Sequence, residues 1–473
     1  MVMGKLYVFG IGGTGARIIR SLTFLLSAGV KCDSEIVPVI IDPDLNNGDL
    51  TRTVELLHKY QAIRQKLSFE DTIENQFYRT EIVETIHNFQ MPLRNTLDIT
   101  FEQYMNVGGM NEANQALMRM LFSEKNLNSR MEVGFKGNPN IGSIVLNQFS
   151  ESVEFTNFAN SFTQNDRIFI VNSIFGGTGA SGFPLLLKTL RTNQTLPQHA
   201  LLNNALIGGI TVLPYFTVNK DADSEIESDT FIAKTKSALH YYQKNVTGNN
   251  SIDVLYYVGD NEGNTQGYQN SEGGKTQKNK AHLIEFISAL AILDFEAKHT
   301  DRTGNVVCKE YGMESRGDAI IFGNLGSATN RMTRIPLAQY LMFSQYLKNV
   351  SASVRDAQQW VKEKGFDKTF WDSDFMKCLV AGFYEFESWL DEMSDNRIAF
   401  SPFVRTIDKP FDIVQGITPQ KSFWFSKDGY QLFDKTLNNK QKGLLQGASK
   451  EKQFVELFYV VTKLLLQEKL NLR

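Results

Sequence analysis

Cysteine is scarce in this chain of 473 residues: Cys32, Cys308 and Cys378 are its only three, far apart and in no paired spacing. That excludes a disulfide framework and a cysteine zinc cage. The six histidines are scattered as well, so the protein's own side chains suggest no metal centre. Charge of one sign is lacking too. Lys+Arg 49 against Asp+Glu 52 leaves a net charge of −3, which gives no global field for nucleic acid or anionic lipid. Long apolar runs are missing. "VELFYVVTKLLL" falls short of the roughly 20 residues that a membrane span needs, and "MVMGKLYVFG" enters a strand pattern at once, without the layout of a secretory signal. A cytoplasmic protein with no membrane span is expected.

What is present is ample for a core: 42% of the residues are hydrophobic. "KLYVFG", "EIVPVII", "RIFIVNSI", "NALIGGITVL" and "IDVLYYV" read as strands, with helical periods between them in "ARIIRSLTFLL", "PLLLKTLR", "DTFIAKTKSALHYYQKN" and "KAHLIEFISALAILDFEAKH". Strands alternating with helices predict a mostly parallel, Rossmann-like α/β sheet covered on both faces. Past about residue 300 the alternation stops and the periodicity becomes helical. The expected division is an α/β domain over 1–300, a connecting segment over 301–333 and a mainly helical C-terminal module over 334–473.

Two glycine-rich stretches interrupt this pattern between a strand and a helix. One is Gly10-Ile11-Gly12-Gly13-Thr14-Gly15; the other is Gly176 to Gly182, "GGTGASG". A turn without Cβ atoms in that position brings backbone N–H groups and the positive end of a helix dipole onto one point, which suits a phosphate. Thr178 and Ser181 would add hydroxyl donors. The first stretch alone fits the dinucleotide fingerprint, with Asp42 as its ribose acid, and leaves an NAD(P)-binding enzyme open. That reading finds no use for the second stretch, and the sequence offers no His, Lys or Tyr constellation for hydride chemistry. "SEGGKTQKNK" contains Gly274-Lys275-Thr276 but lacks the leading glycine of a Walker loop, so the pocket is expected to lack a phosphate-binding lysine. Arg17, early in the first helix, could help to neutralise the phosphates, but a solvated arginine on an exposed face is the expected outcome.

Together the loops resemble the tubulin/FtsZ family, in the manner of its divergent bacterial members. The family signature G-G-G-T-G-[ST]-G has its counterpart in "FGGTGASG", with Phe175 in place of the first glycine and one extra small residue. The resemblance implies GTP or GDP with Mg²⁺ as ligand. Gly176, Gly177, Thr178, Gly179, Ala180 and Ser181 would then cradle the diphosphate, and Gly12, Gly13, Thr14 and Gly15 would form the first phosphate loop. "GNPNIG" is similar to the FtsZ loop facing the γ-phosphate, which implies roles for Gly137 and Asn138. Asp42 and Asp44 fall where the family places acids near the magnesium-bound phosphates. Asn261, in "GDNEGN", takes the place of the guanine-reading loop.

The family also implies head-to-tail self-association into filaments, with hydrolysis completed by an acid after the central helix of the neighbouring subunit. Here "GNLGSATNRMTRIP" carries no acid, and Asp294, Glu296 or Asp318 would have to substitute. A non-hydrolysing, nucleotide-dependent structural protein therefore stays open, as does a partner protein on the helical module.

Overall fold

The computed structural model describes residues 4–69, 75–132, 134–135, 137–218, 231–260, 266–268, 274–275, 277–311, 319–405, 409–420, 429–444 and 447–472. Its centre is a six-stranded sheet of β1 (Lys5–Ile11), β2 (Glu35–Ile41), β3 (Arg167–Ser173), β4 (Ile207–Val212), β5 (Val254–Val258) and β6 (Val307–Glu310), in the order β2-β1-β3-β4-β5-β6. Every neighbouring pair is parallel. The apolar runs of β1 to β4 follow from this, because a parallel strand covered on both faces has no wet side. Side chains alternate between two cores, as a pleat requires: Leu6 and Val8 enter one, Tyr7, Phe9 and Ile11 the other.

Register decides where the loops fall. Gly10 lies opposite Ile40 on one side and Val171 on the other, so β1, β2 and β3 end nearly level. The turns that follow β1 and β3 leave the same edge of the sheet from adjacent strands. Carboxyl ends of parallel strands are where α/β proteins build their sites.

Among the helices are α1 (Gly12–Ser27), α2 (Gly48–Arg64), α3 (Pro139–Val145), α4 (Gly177–Thr192), α5 (Phe231–Tyr242) and α6 (Leu283–Lys298), then α7 (Ser327–Asn349), α8 (Asp374–Ser394), α9 (Tyr430–Lys440) and α10 (Lys450–Leu470). Helices α1, α2 and α6 share one core with α7, α8, α9 and α10, while α3 and α4 belong to the core on the other face.

Two features differ from the division expected at residues 300 and 333. The expected connecting segment supplies β6, the edge strand of the main sheet; its four-residue alternation is too short to stand out from loop in the sequence. The C-terminal region is helical as anticipated, yet it has no hydrophobic core of its own. Trp389 of α8 lies 5.2 Å from Phe24 of α1, and the stack of Phe343 on Phe458, at 4.2 Å, continues the same cluster. Among the described residues no helix is long and apolar enough to cross a membrane.

Candidate functional site

Three glycine turns meet at the carboxyl edge of the sheet. The first takes the chain from β1 into α1 through Gly12, whose φ of +74° is open to glycine and strained for other residues. A Cβ on Gly12 would lie 3.4 Å from the Thr178 side chain, so the first and second turns touch. A Cβ on Gly177 would lie 3.0 Å from Asn138 N and 3.1 Å from Gly137 N, so the second and third turns touch as well. Other glycines allow the backbones to close up. A Cβ on Gly15 would sit 2.5 Å from the Gly10 carbonyl carbon, and one on Gly179 would sit 2.6 Å from Ser173 O.

Each turn opens a helix whose amino terminus is bare. The N-cap positions of α1, α3 and α4 are Ile11, Asn138 and Gly176; none makes a side-chain cap, and no first turn holds an acid. Asn47 on α2, Ser373 on α8 and Ser449 on α10 cap by the usual chemistry, while Gly326 and Gly429 leave the starts of α7 and α9 without a side-chain cap, away from these turns. Three sets of orphan N–H donors with aligned dipoles therefore face one region, an arrangement suited to an anion.

Several side chains depart from expectation. Arg17 is not on an exposed face: its side chain is 3% accessible. It donates to Glu285 at 2.6 Å, Asp49 at 2.8 Å, the Tyr215 hydroxyl at 2.8 Å and Thr14 Oγ1 at 3.3 Å. The acids and the tyrosine hold the guanidinium ionised against its burial. Glu285, Asp49 and Tyr215 lie 268, 32 and 198 residues away, so no local pattern could announce them.

Ser181 is engaged within its own helix. Its buried hydroxyl donates back to the carbonyl of Gly177 at 2.7 Å, and it fills the space a Cβ on Gly142 would need. A lysine does reach the turns: Lys234 of α5 donates to the Gly137 carbonyl at 2.9 Å. Beside it lies a cavity of about 590 Å³, lined in part by Pro139, Phe175, Gly176, Lys188, Lys234 and Tyr241. The second and third turns border this cavity and the first does not, so it adjoins the meeting point of the turns rather than forming it.

Asp42 and Asp44 follow β2 at the same edge. Asp42 is buried, and burial, reinforced by the neighbouring Asp44 carboxylate, pushes it up to about 7; it also accepts the Asp44 N–H at 3.0 Å. Asp44 is raised by burial too and accepts the backbone N–H of Gly274 at 2.5 Å, which brings the first glycine of Gly274-Lys275-Thr276 against this acidic turn. A carboxyl buried without a cation favours its neutral form, and a divalent ion between phosphate and Asp42 would reverse that. Among the described residues no group of three or more His, Cys, Asp or Glu could hold a metal on its own.

Asp294 and Glu296 occupy the far end of α6, near the amino ends of the strands, and both are engaged. Asp294 accepts from Tyr256 and Lys309 at 2.8 Å and pairs with Lys298, which holds it down at about 2. Glu296 accepts from Ser34 and lies 3.4 Å from Arg167. Asp301, in the bend after α6, is exposed. Asn261 and Asp318 lie outside the described residues.

No protein-family model matches the chain, and no curated protein matches it. The solved structures it is similar to include CetZ and FtsZ proteins. CetZ2 from Haloferax volcanii, described as a GTPγS-bound protofilament, is 14% identical over 64% of this chain and 64% of its own length, with a TM-score of 0.30. An FtsZ mutant from M. jannaschii is 15% identical over 54% of this chain and 47% of its own, at 0.27. CetZ1 from Haloferax volcanii, described as a GDP-bound monomer, is 13% identical over 54% and 51%, at 0.27. The chain thus spans from about half to under two thirds of these structures' lengths.

Proposed function

We propose that this protein binds GTP with Mg²⁺ at the three joined turns and self-associates head to tail through the filled site. The observation that carries the reading is the convergence of three uncapped helix amino termini, α1, α3 and α4, on one edge of the sheet. A dinucleotide enzyme needs the first of these alone. Guanosine rather than another base is taken from the resemblance of the loop sequences.

In this reading Gly12 to Gly15 and Gly176 to Ala180 present amides to the diphosphate. Gly137 and Asn138 face the terminal phosphate, with Lys234 adding charge. Asp42 and Asp44 stand where Mg²⁺ on the phosphates would be met; bound there, the ion would supply charge neutralisation. Asp301 sits at the opposite end of the sheet, where a neighbouring subunit would present it to a water at the terminal phosphate. Asp294 and Glu296, tied up in their own ion pairs, are less suited to that task.

The test is nucleotide retention followed by assembly. Purified protein should carry GTP or GDP by mass spectrometry, and Thr178→Ala should weaken retention without unfolding. Light scattering and negative-stain microscopy should show filaments with GTP, and Asp301→Ala should keep binding and assembly while stopping phosphate release. Retention of a nicotinamide dinucleotide, or of no nucleotide at all, would refute the reading. Filaments without phosphate release in the unaltered protein would restrict it to the structural version.

A further inference from the structure

One carboxylate of the C-terminal module reaches across to the phosphate edge. Glu392, near the end of α8, accepts from Arg20 of α1 at 2.9 Å, from Arg52 of α2 at 3.1 Å and from the backbone N–H of Ala281, at the entrance to α6, at 2.8 Å. Its side chain is 15% accessible. From there the contacts run inward without a break. Arg52 donates to Asp49 at 2.6 Å, Asp49 accepts from Arg17 at 2.8 Å, and Arg17 reaches Thr14 Oγ1 at 3.3 Å in the first glycine turn. Asn279 closes the loop, donating to Asp49 from its backbone at 3.0 Å and its side chain at 2.8 Å.

The charges balance within the cluster: Arg17, Arg20 and Arg52 face Asp49, Glu285 and Glu392. Such a set is cooperative, because removing one member leaves its partners charged in a poorly hydrated place and they must rearrange. Two other ties of α8, to α1 and α2, do not share this property. Trp389 donates to Ser21 at 3.2 Å, and Lys59 pairs with Glu385 on a wetter surface; each fastens the helix without reaching the turn.

We infer that Glu392 is a positioning residue for the first glycine turn, so that the helical module completes the phosphate cradle and senses its occupancy. Through Arg52 and Asp49 it fixes the Arg17 guanidinium, and Arg17 fixes the opening turn of α1. Only the occupancy aspect rests on the nucleotide-binding reading; the mechanical aspect holds for the free protein.

The experiment uses the full chain with Glu392→Gln, and Arg52→Gln as the variant that breaks the same path from the other side. Glu385→Gln removes a tie between α2 and α8 that lies off the path and serves as control. Amide hydrogen exchange without nucleotide should accelerate at Gly12 to Arg17 in the first two variants and not in the control. The affinity for a fluorescent N-methylanthraniloyl GTP should fall about tenfold, in the range of coupled sites.

Exchange that accelerates in α8 alone, with the turn unchanged, would overturn the inference and leave Glu392 a docking contact. Should the turn respond in exchange while the unaltered protein binds no GTP probe, the path stands and the nucleotide reading fails.

Discussion

Replacing Arg17 with methionine keeps an unbranched side chain, shorter by the guanidinium, and deletes its charge. Asp49, 0% accessible, would retain Arg52 and Asn279 as partners. Glu285, 1% accessible, would keep only the Tyr215 hydroxyl at 2.7 Å and the His282 N–H at 3.2 Å. Breaking a buried pair from one side costs about 3–5 kcal/mol, because the surviving ion is left without its counter-charge. Arg17→Met should therefore remove much of a net stability that is ordinarily about 5–15 kcal/mol. The companion change Glu285→Gln removes the stranded charge, so the double variant should be more stable than Arg17→Met alone. Urea unfolding followed by tryptophan fluorescence reads this, because Trp389 is fully buried against α1. A single variant costing under about 1 kcal/mol, or a double variant worse than the sum of its parts, would refute the account of the network.

Asp42 gives a pH prediction. Its folded value of about 7 lies above the ordinary 3.8, so the protonated form favours the fold; that contribution is complete below pH 4 and is lost as pH rises toward 7. Between pH 5 and 8 the ligand-free protein should lose about 2–3 kcal/mol relative to Asp42→Asn, as measured by denaturant midpoints; parallel behaviour of the two would contradict it. The glycines of the first turn should separate by position. Gly15→Ala drives a Cβ to 2.5 Å from the Gly10 backbone and should cost more than about 2 kcal/mol, a backbone clash that no rotamer relieves. Gly13→Ala meets its nearest atom, on Arg17, at 3.7 Å and should be neutral or mildly stabilising in thermal melts.

The sheet and both glycine turns were legible because each rests on a local signal: an apolar run with a bounding turn, and glycines where a strand enters a helix. What local patterns cannot reveal is partnership across the chain. Arg17 reads as an exposed helix residue until α2 and α6 are folded over it. Lys234 is brought to Gly137 by the packing of α5, 97 residues further along. Ser181 reads as a donor because hydroxyls favour phosphates; the sequence does not reveal that inside the helix its hydroxyl bonds the carbonyl one turn earlier. The edge strand Val307–Glu310 carries too few residues to stand out from its glycine- and asparagine-containing approach.

The shared interior of the sheet and the last helices limits how this polypeptide can be divided. A fragment cut between residues 326 and 333 would lay bare the flank of α1 around Phe24, together with Phe286 of α6, which meets Trp389 and Phe400 in the intact chain. Such a piece would be sticky and short of stability. Deleting the tail to simplify the protein would thus damage the very sheet it was meant to isolate, and inherited variation in those late helices should be felt far away, where the first strand turns.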